Sequence, residues 1–122
     1  MIKLTFCLVR LPHLTREAFQ AYWRGTHAPL VASVAEALRI RRYVQLHSAA
    51  AEASAGMRAS RGAPEDFDGV AELWFDSLEA VIENGRRQEA RAAAALLLED
   101  ERRFIDLPRS PIWWGEEKVI VG

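Results

Sequence analysis

The stretch Gly69-Val70-Ala71-Glu72-Leu73-Trp74-Phe75-Asp76 alternates Val70, Glu72 and Trp74 with Ala71, Leu73 and Phe75, and it runs straight into Ser77. A period of two is that of a strand with two distinct faces. Ser77 offers an N-cap hydroxyl to a helix through Leu78, Val81 and Ile82, which Gly85 ends. A strand that feeds directly into a helix is half of a strand–helix–strand unit, so what flanks it decides the fold.

Upstream, Ile2 to Arg10 alternates in the same way, with Ile2, Leu4, Phe6 and Leu8 on one face, and Pro12 ends it. Thr15 can cap a helix with Glu17 in its first turn and Leu14 set to meet Phe19. Phe19, Tyr22 and Trp23 continue the helical spacing until Gly25 interrupts it. Thr26 can then cap a second segment, with Pro29 in its first turn and Leu30, Val31, Val34 and Leu38 as its apolar face. Ile40 to Ser48 predicts a second strand. Downstream, Gln88 to about Arg103 predicts a longer helix, and Pro108 and Pro111 bracket a turn before a final strand from Ile112 to Val121. The order βαββαβ is that of a ferredoxin-like α+β sandwich, a four-stranded antiparallel sheet with helices on one face. Between the second and third strands, residues 49–66 are rich in Ala, Ser, Gly and Arg. They are expected to form a flexible excursion, with a short helix in its Ala-rich start.

Helices on one face leave the other bare. That face would expose Trp74 with Val70, and some of Trp113, Trp114, Tyr43 and Val119, more apolar surface than a monomer ordinarily shows to water. A second copy of the same sheet is the simplest cover, so a homodimer is expected.

With 122 residues, the chain makes one domain able to bury a single core over roughly two-thirds of its unfolded surface. Sixteen basic and seventeen acidic side chains leave a formal charge of −1, and no Lys/Arg block supplies the footprint that nucleic acid requires. No apolar run approaches the ~20 residues of a membrane span, and no signal-peptide core follows Met1, so a cytoplasmic location without membrane contact is expected. The single cysteine, Cys7, excludes an intrachain disulfide and a cysteine-based zinc cluster.

Four stretches, Ile2-Lys3-Leu4-Thr5-Phe6-Cys7-Leu8, Tyr22-Trp23-Arg24-Gly25-Thr26-His27-Ala28-Pro29-Leu30, Arg42-Tyr43-Val44-Gln45-Leu46-His47 and Asp68-Gly69-Val70-Ala71-Glu72-Leu73-Trp74-Phe75-Asp76, together with Phe104-Ile105-Asp106 and Ser110-Pro111-Ile112-Trp113, resemble EthD-domain proteins in content and order. The likeness spans nearly the whole chain outside the 49–66 excursion and departs at Ala28, where many relatives carry Gly. It implies a dimeric α+β barrel, with two sheets face to face and a small cavity between sheet and helices in each protomer. Members are linked to oxidative ether degradation alongside a cytochrome monooxygenase, and fungal relatives act as decarboxylases or dehydratases on polyketides. The wider superfamily also holds cofactor-free monooxygenases, cyclases, lactone isomerases and haem proteins.

His27 is the leading candidate for chemistry. At the start of a helix the local positive potential favours the neutral imidazole, a base able to take an acidic proton from an activated carbonyl compound or a phenol. The alternative is a capping histidine that ties the interrupted helix to the sheet. Glu72 is the second catalytic candidate. If Ala71, Leu73 and Phe75 pack under the helices, Glu72 and Trp74 face the barrel, where a carboxylate needs a partner or a raised pKa. The same side could hold Tyr43, Gln45 and His47 from the second strand and Thr5 and Cys7 from the first, as a substrate-binding set. Each has a plainer reading: a polar network at the dimer interface for Glu72 and Gln45, a loop-fixing role for His47, inert packing for Cys7.

His13, His27 and His47 lack the spacing of a helical metal site, and no glycine-rich phosphate loop is present, so no metal and no nucleotide cofactor is expected. Haem stays open, because one axial histidine would suffice. The sequence thus points to a cofactor-independent enzyme acting on a small, mostly apolar oxygenated compound. The alternative is a dimeric protein that only binds such a compound. An acid paired with His27 would favour the enzyme.

Overall fold

The computed structural model describes residues 1–122. Four strands, β1 (Ile2–Leu8), β2 (Arg42–His47), β3 (Gly69–Phe75) and β4 (Ile112–Gly115), form one antiparallel sheet in the order β2-β3-β1-β4. The helices are α1 (Arg16–Tyr22), α2 (Ala28–Leu38), α3 (Glu52–Arg61), α4 (Leu78–Asn84) and α5 (Gln88–Glu101). This is the ferredoxin-like α+β arrangement that the order of elements predicts. No helix is long and apolar enough to cross a membrane.

Register sets the faces. Residues opposite one another across an antiparallel pair share a face, and Phe6 pairs with Ala71, Leu4 with Leu73 and Leu8 with Gly69. Phe6, Leu8 and Ala71 meet Phe19 and Trp23 from the first helix and Phe104 and Ile105 from the segment after α5, which closes the core. Each of these large side chains contributes about 1.5–3 kcal/mol by leaving water. Thr15 and Ser77 cap α1 and α4 as expected, accepting from the amides of Ala18 at 3.1 Å and Ala80 at 3.0 Å.

Strands β1 and β4 end short of their patterns. β1 stops at Leu8 because β3 starts at Gly69 opposite it, and the amide of Arg10 donates instead to the Asp68 carboxylate at 2.7 Å. β4 stops at Gly115, which faces Lys3 near the beginning of β1, so residues 116–121 have no strand left to pair with. Val119, Ile120 and Val121 are exposed. The excursion after β2 contains a ten-residue helix, α3, with no buried side chain. Ion pairs from Arg58 and Arg16 to Asp66 hold its far end to the body.

Candidate active site

The first helix does not break at Gly25. Residues Trp23–His27 form a π turn, in which the amide of Ala28 donates to the Trp23 carbonyl, and the helical run continues unbroken into α2. Pro29 accounts for the widening: it has no N–H to give, and its ring would crowd the carbonyl of Gly25 four residues back. Thr26 therefore caps nothing, and His27 sits inside a continuous helix with 5% of its surface exposed.

His27 Nδ1 lies 2.7 Å from Oδ2 of Asp100, in the last turn of α5. The other carboxylate oxygen accepts from the Tyr22 hydroxyl at 2.6 Å and from Arg103 at 3.2 Å. Burial pushes the Asp100 carboxyl up, but the hydrogen bonds from Tyr22, His27 and Arg103 outweigh it and hold the group below its ordinary range. An ionised carboxylate only accepts, so Nδ1 carries the proton and Nε2 presents its lone pair. Nε2 has no hydrogen bond from the protein. Burial lowers the pKa of His27, against the pull of Asp100, so the imidazole is neutral at pH 7. The helix start invoked from the sequence is absent, and desolvation takes its place.

His27 faces a cavity of about 450 Å³ between the sheet and the helices, walled by apolar side chains such as Leu4, Phe6, Val31, Leu73, Leu97 and Trp114. That volume is in the range of small-molecule sites. Tyr43 and Glu101 are among the further polar groups that line it. The Tyr43 oxygen accepts from Gln45 Nε2 at 2.7 Å, so its own O–H is left to donate to whatever occupies the cavity. Gln45 is itself fixed, donating to the Trp23 carbonyl at 3.0 Å and bonded through Oε1 to His47 Nε2 at 2.8 Å, while the His47 ring stacks on Trp23 with centroids 4.5 Å apart. Burial raises the pKa of Tyr43 and keeps it a donor. Asn84 also lines the cavity, but its amide is engaged by the Ala37 carbonyl and by Arg87. Arg91 stands at the rim and bonds the Arg86 carbonyl.

Glu72 is not part of this site. It pairs across the sheet with Thr5 and Val44 on the opposite face, where it forms an ion pair with Lys3 at 2.8 Å. Trp74, Thr5 and Cys7 share that face. Trp74 donates Nε1–H to Glu117 at 2.5 Å, with Lys3 and Arg42 over its ring at 5.0 and 4.9 Å. Burial raises the Cys7 thiol, which leaves it unreactive. Tyr43, Gln45 and His47, expected beside Glu72, lie on the helix side instead. The reason is register: Tyr43 faces Leu73, Gln45 faces Ala71 and His47 faces Gly69.

Asp100 and Glu101 are the residues that sequence reasoning missed. They belong to the run Glu99-Asp100-Glu101, which resembles a solvated helix end. A signal existed: Ala90, Ala93, Leu97, Asp100 and Phe104 recur at helical spacing, which puts Asp100 on the buried stripe.

The sheet, its one-sided helices and an apolar cavity with an Asp–His pair at its wall define a ferredoxin-like α+β domain with an internal cavity. The EthD domain profile matches residues 11–108, and the chain belongs to that family. An EthD family protein from Bacillus halodurans C-125 superimposes with a TM-score of 0.61 at 19% identity, over 97% of this chain and 100% of that one. An EthD-like protein from Ralstonia eutropha JMP134 gives 0.58 at 20% identity, over 98% and 94%. A dimeric protein of ferredoxin-like fold and unknown function from Bacteroides fragilis NCTC 9343 gives 0.58 at 11% identity, over 95% of each chain. No curated protein matches the chain significantly.

Proposed function

We propose that the chain is a cofactor-independent enzyme that moves a proton on a small, mostly apolar oxygenated compound of aromatic, polyketide-like or ether-pathway type. The observation that carries this reading is the 2.7 Å contact between His27 Nδ1 and Asp100 at the wall of an apolar cavity. Nε2 takes a proton from a carbon beside a carbonyl, or from a phenol, and Asp100 stabilises the imidazolium that forms. The Tyr43 O–H meets the oxygen on which negative charge develops. A protein that only bound the compound would need no such pair, so the binding-protein reading is the less favoured one. Haem held by His27 would occupy Nε2, the atom the proton transfer uses, so haem on this histidine and the proton transfer exclude each other.

The same reading takes the molecule as a homodimer closed through the bare sheet face. It is supported by Trp74, Val70 and Trp113 on that face and by the dimeric relative from Bacteroides fragilis.

Exchange of the α-protons of benzylacetone (4-phenyl-2-butanone) into D2O, followed by proton NMR, tests the chemistry. His27→Gln should slow the catalysed exchange about 10²–10⁴-fold, the usual loss for a general base. Equal exchange by the variant would remove His27 from the reaction. Tight binding of benzylacetone without any exchange would leave the binding protein as the answer, and a shifted, sharpened Soret band on adding haemin that His27→Gln abolishes would replace both.

A further inference from the structure

Glu101 carries a carboxyl group into the cavity with no hydrogen bond or ion pair from the protein to meet it. The adjacent Asp100 is satisfied three times over, by Tyr22, His27 and Arg103. Glu101 stands one helical turn after Leu97, on the part of α5 that faces the sheet. The other titratable or charged groups lining the cavity are His27 from the π turn, Tyr43 from β2 and, at the rim, Arg91 from α5 itself. Arg91 is occupied with a backbone carbonyl, and the segments of β1, β3, β4, α2 and α4 that line the cavity bring only apolar side chains, Gly85 and the engaged Asn84. An unpaired carboxyl in such a place favours the neutral acid, a form able to donate to an acceptor in the cavity.

We propose that Glu101 is the second proton-transfer group of the cavity, a carboxylic acid whose partner is the carbonyl oxygen of a neutral ligand. This rests on the reading of His27 as the base. In the forward step the bond between hydrogen and the α-carbon breaks, its proton goes to His27 Nε2, and its electron pair becomes the C=C bond. The carbonyl π pair moves to oxygen, which takes the proton of Glu101. The products are a neutral enol, an imidazolium and a carboxylate, so charge is conserved, and return of the two protons resets the site. Burial, helped by the charge of Asp100 and opposed by Arg102, lifts the Glu101 carboxyl to about 7, which keeps it protonated in mildly acidic solution. A ligand bearing its own carboxylate would find no free cation in the cavity and would be rejected.

The carbon-13 shift of the Glu101 carboxyl, assigned by its loss in Glu101→Gln, is to be titrated with and without benzylacetone. The free protein should titrate near 7, and the ketone should move the midpoint upward, because it accepts from the protonated form alone. Phenylbutyrate, a carboxylate of similar size, should bind at least tenfold more weakly than the ketone. Glu101→Gln should keep ketone affinity within about threefold while exchange falls about 10²–10³-fold. Glu101→Asp, which remains an acid, should retain more exchange than Gln. A midpoint in the ordinary carboxylate range, a ketone that leaves it unmoved, or undiminished exchange in Glu101→Gln each overturns the proposal. If the parent protein exchanges nothing yet the ketone raises the midpoint, the base role of His27 and the proton transfer from Glu101 both fail, and Glu101 keeps only a hydrogen bond to the ligand.

Discussion

Trp23 lies so close over Gly69 that the glycine has no room for a side chain. A Cβ there would come within 2.8 Å of Cη2 of the indole and 2.7 Å of the Leu46 carbonyl oxygen. The indole is buried among the core aromatics and carries the His47 ring on it, so it has little freedom to withdraw. Gly69→Ala should therefore destabilise the fold by about 1–3 kcal/mol, the usual range for overpacking. Urea denaturation measures it, and an unchanged midpoint would mean that the indole shifts freely.

Asp100→Asn removes the carboxylate that fixes the His27 tautomer. The variant should fold with a loss of about 1–3 kcal/mol from the disturbed hydrogen bonds to Tyr22 and His27. The pKa of His27 should fall further, since the groups that raise it are gone and burial remains. Nitrogen-15 NMR of the imidazole reads both tautomer and titration, and an unaltered tautomer would show that Asp100 does not set it.

Stability should respond to pH through Glu101. Its pKa is about 7 when folded against an ordinary 4.5, so between these values the unfolded chain gives up a proton that the folded chain keeps. The contribution is fully present below pH 4.5 and is lost as pH rises towards 7. Glu101→Gln abolishes that slope and should gain about 1–2 kcal/mol over the parent at pH 8, with no gain at pH 4. Denaturant curves at the two pH values decide, and parallel curves would refute the shift.

The open sheet face should bury well over the ~1,200 Å² of a stable interface when two copies meet. Sedimentation velocity at micromolar concentration should show a dimer for the parent protein. Trp74→Asp, which puts a charge where the sheets would touch, should yield monomer or unfolded chain. A folded, monomeric parent would end the dimer reading.

Helix α3 has no buried residue, so its hydrogen bonds have little but ion pairs to protect them. Residues 49–66 should exchange their amides fastest among the internal segments, despite being helical over Glu52–Arg61. Hydrogen exchange measured by mass spectrometry tests this, and protection equal to that of α5 would contradict it.

Most of the fold was legible because its patterns are strong and local. Strict alternation in Ile2–Leu8 and Gly69–Phe75, the caps at Thr15 and Ser77, and Gly85 at a helix end each specify an element without help from distant residues. Strand ends were harder, since the end of β4 depends on where β1 begins, over one hundred residues away in sequence. The site was legible only in part. His27 stood out by type, but the face taken by Tyr43, Gln45 and His47 depends on a register that alternation alone leaves open. Asp100 and Glu101 were masked by their neighbours, since three consecutive acids resemble surface until tertiary packing sinks two of them.

The π turn gives the first helix two angular phases. From Arg16 to Tyr22 the helix is oriented so that Phe19 meets the core, and after Trp23–His27 a wider turn resets the angle for Val31. A regular α-helix turns about 100° per residue, so one residue more or fewer within this turn would rotate everything on one side of it by that amount. The fold thus sets the aim of His27 by a count of residues as well as by its contact with Asp100. A single-residue deletion at Gly25 would turn the imidazole by about 100° relative to α1 and out of line with Asp100, while Pro29 would still deny the join a regular hydrogen bond.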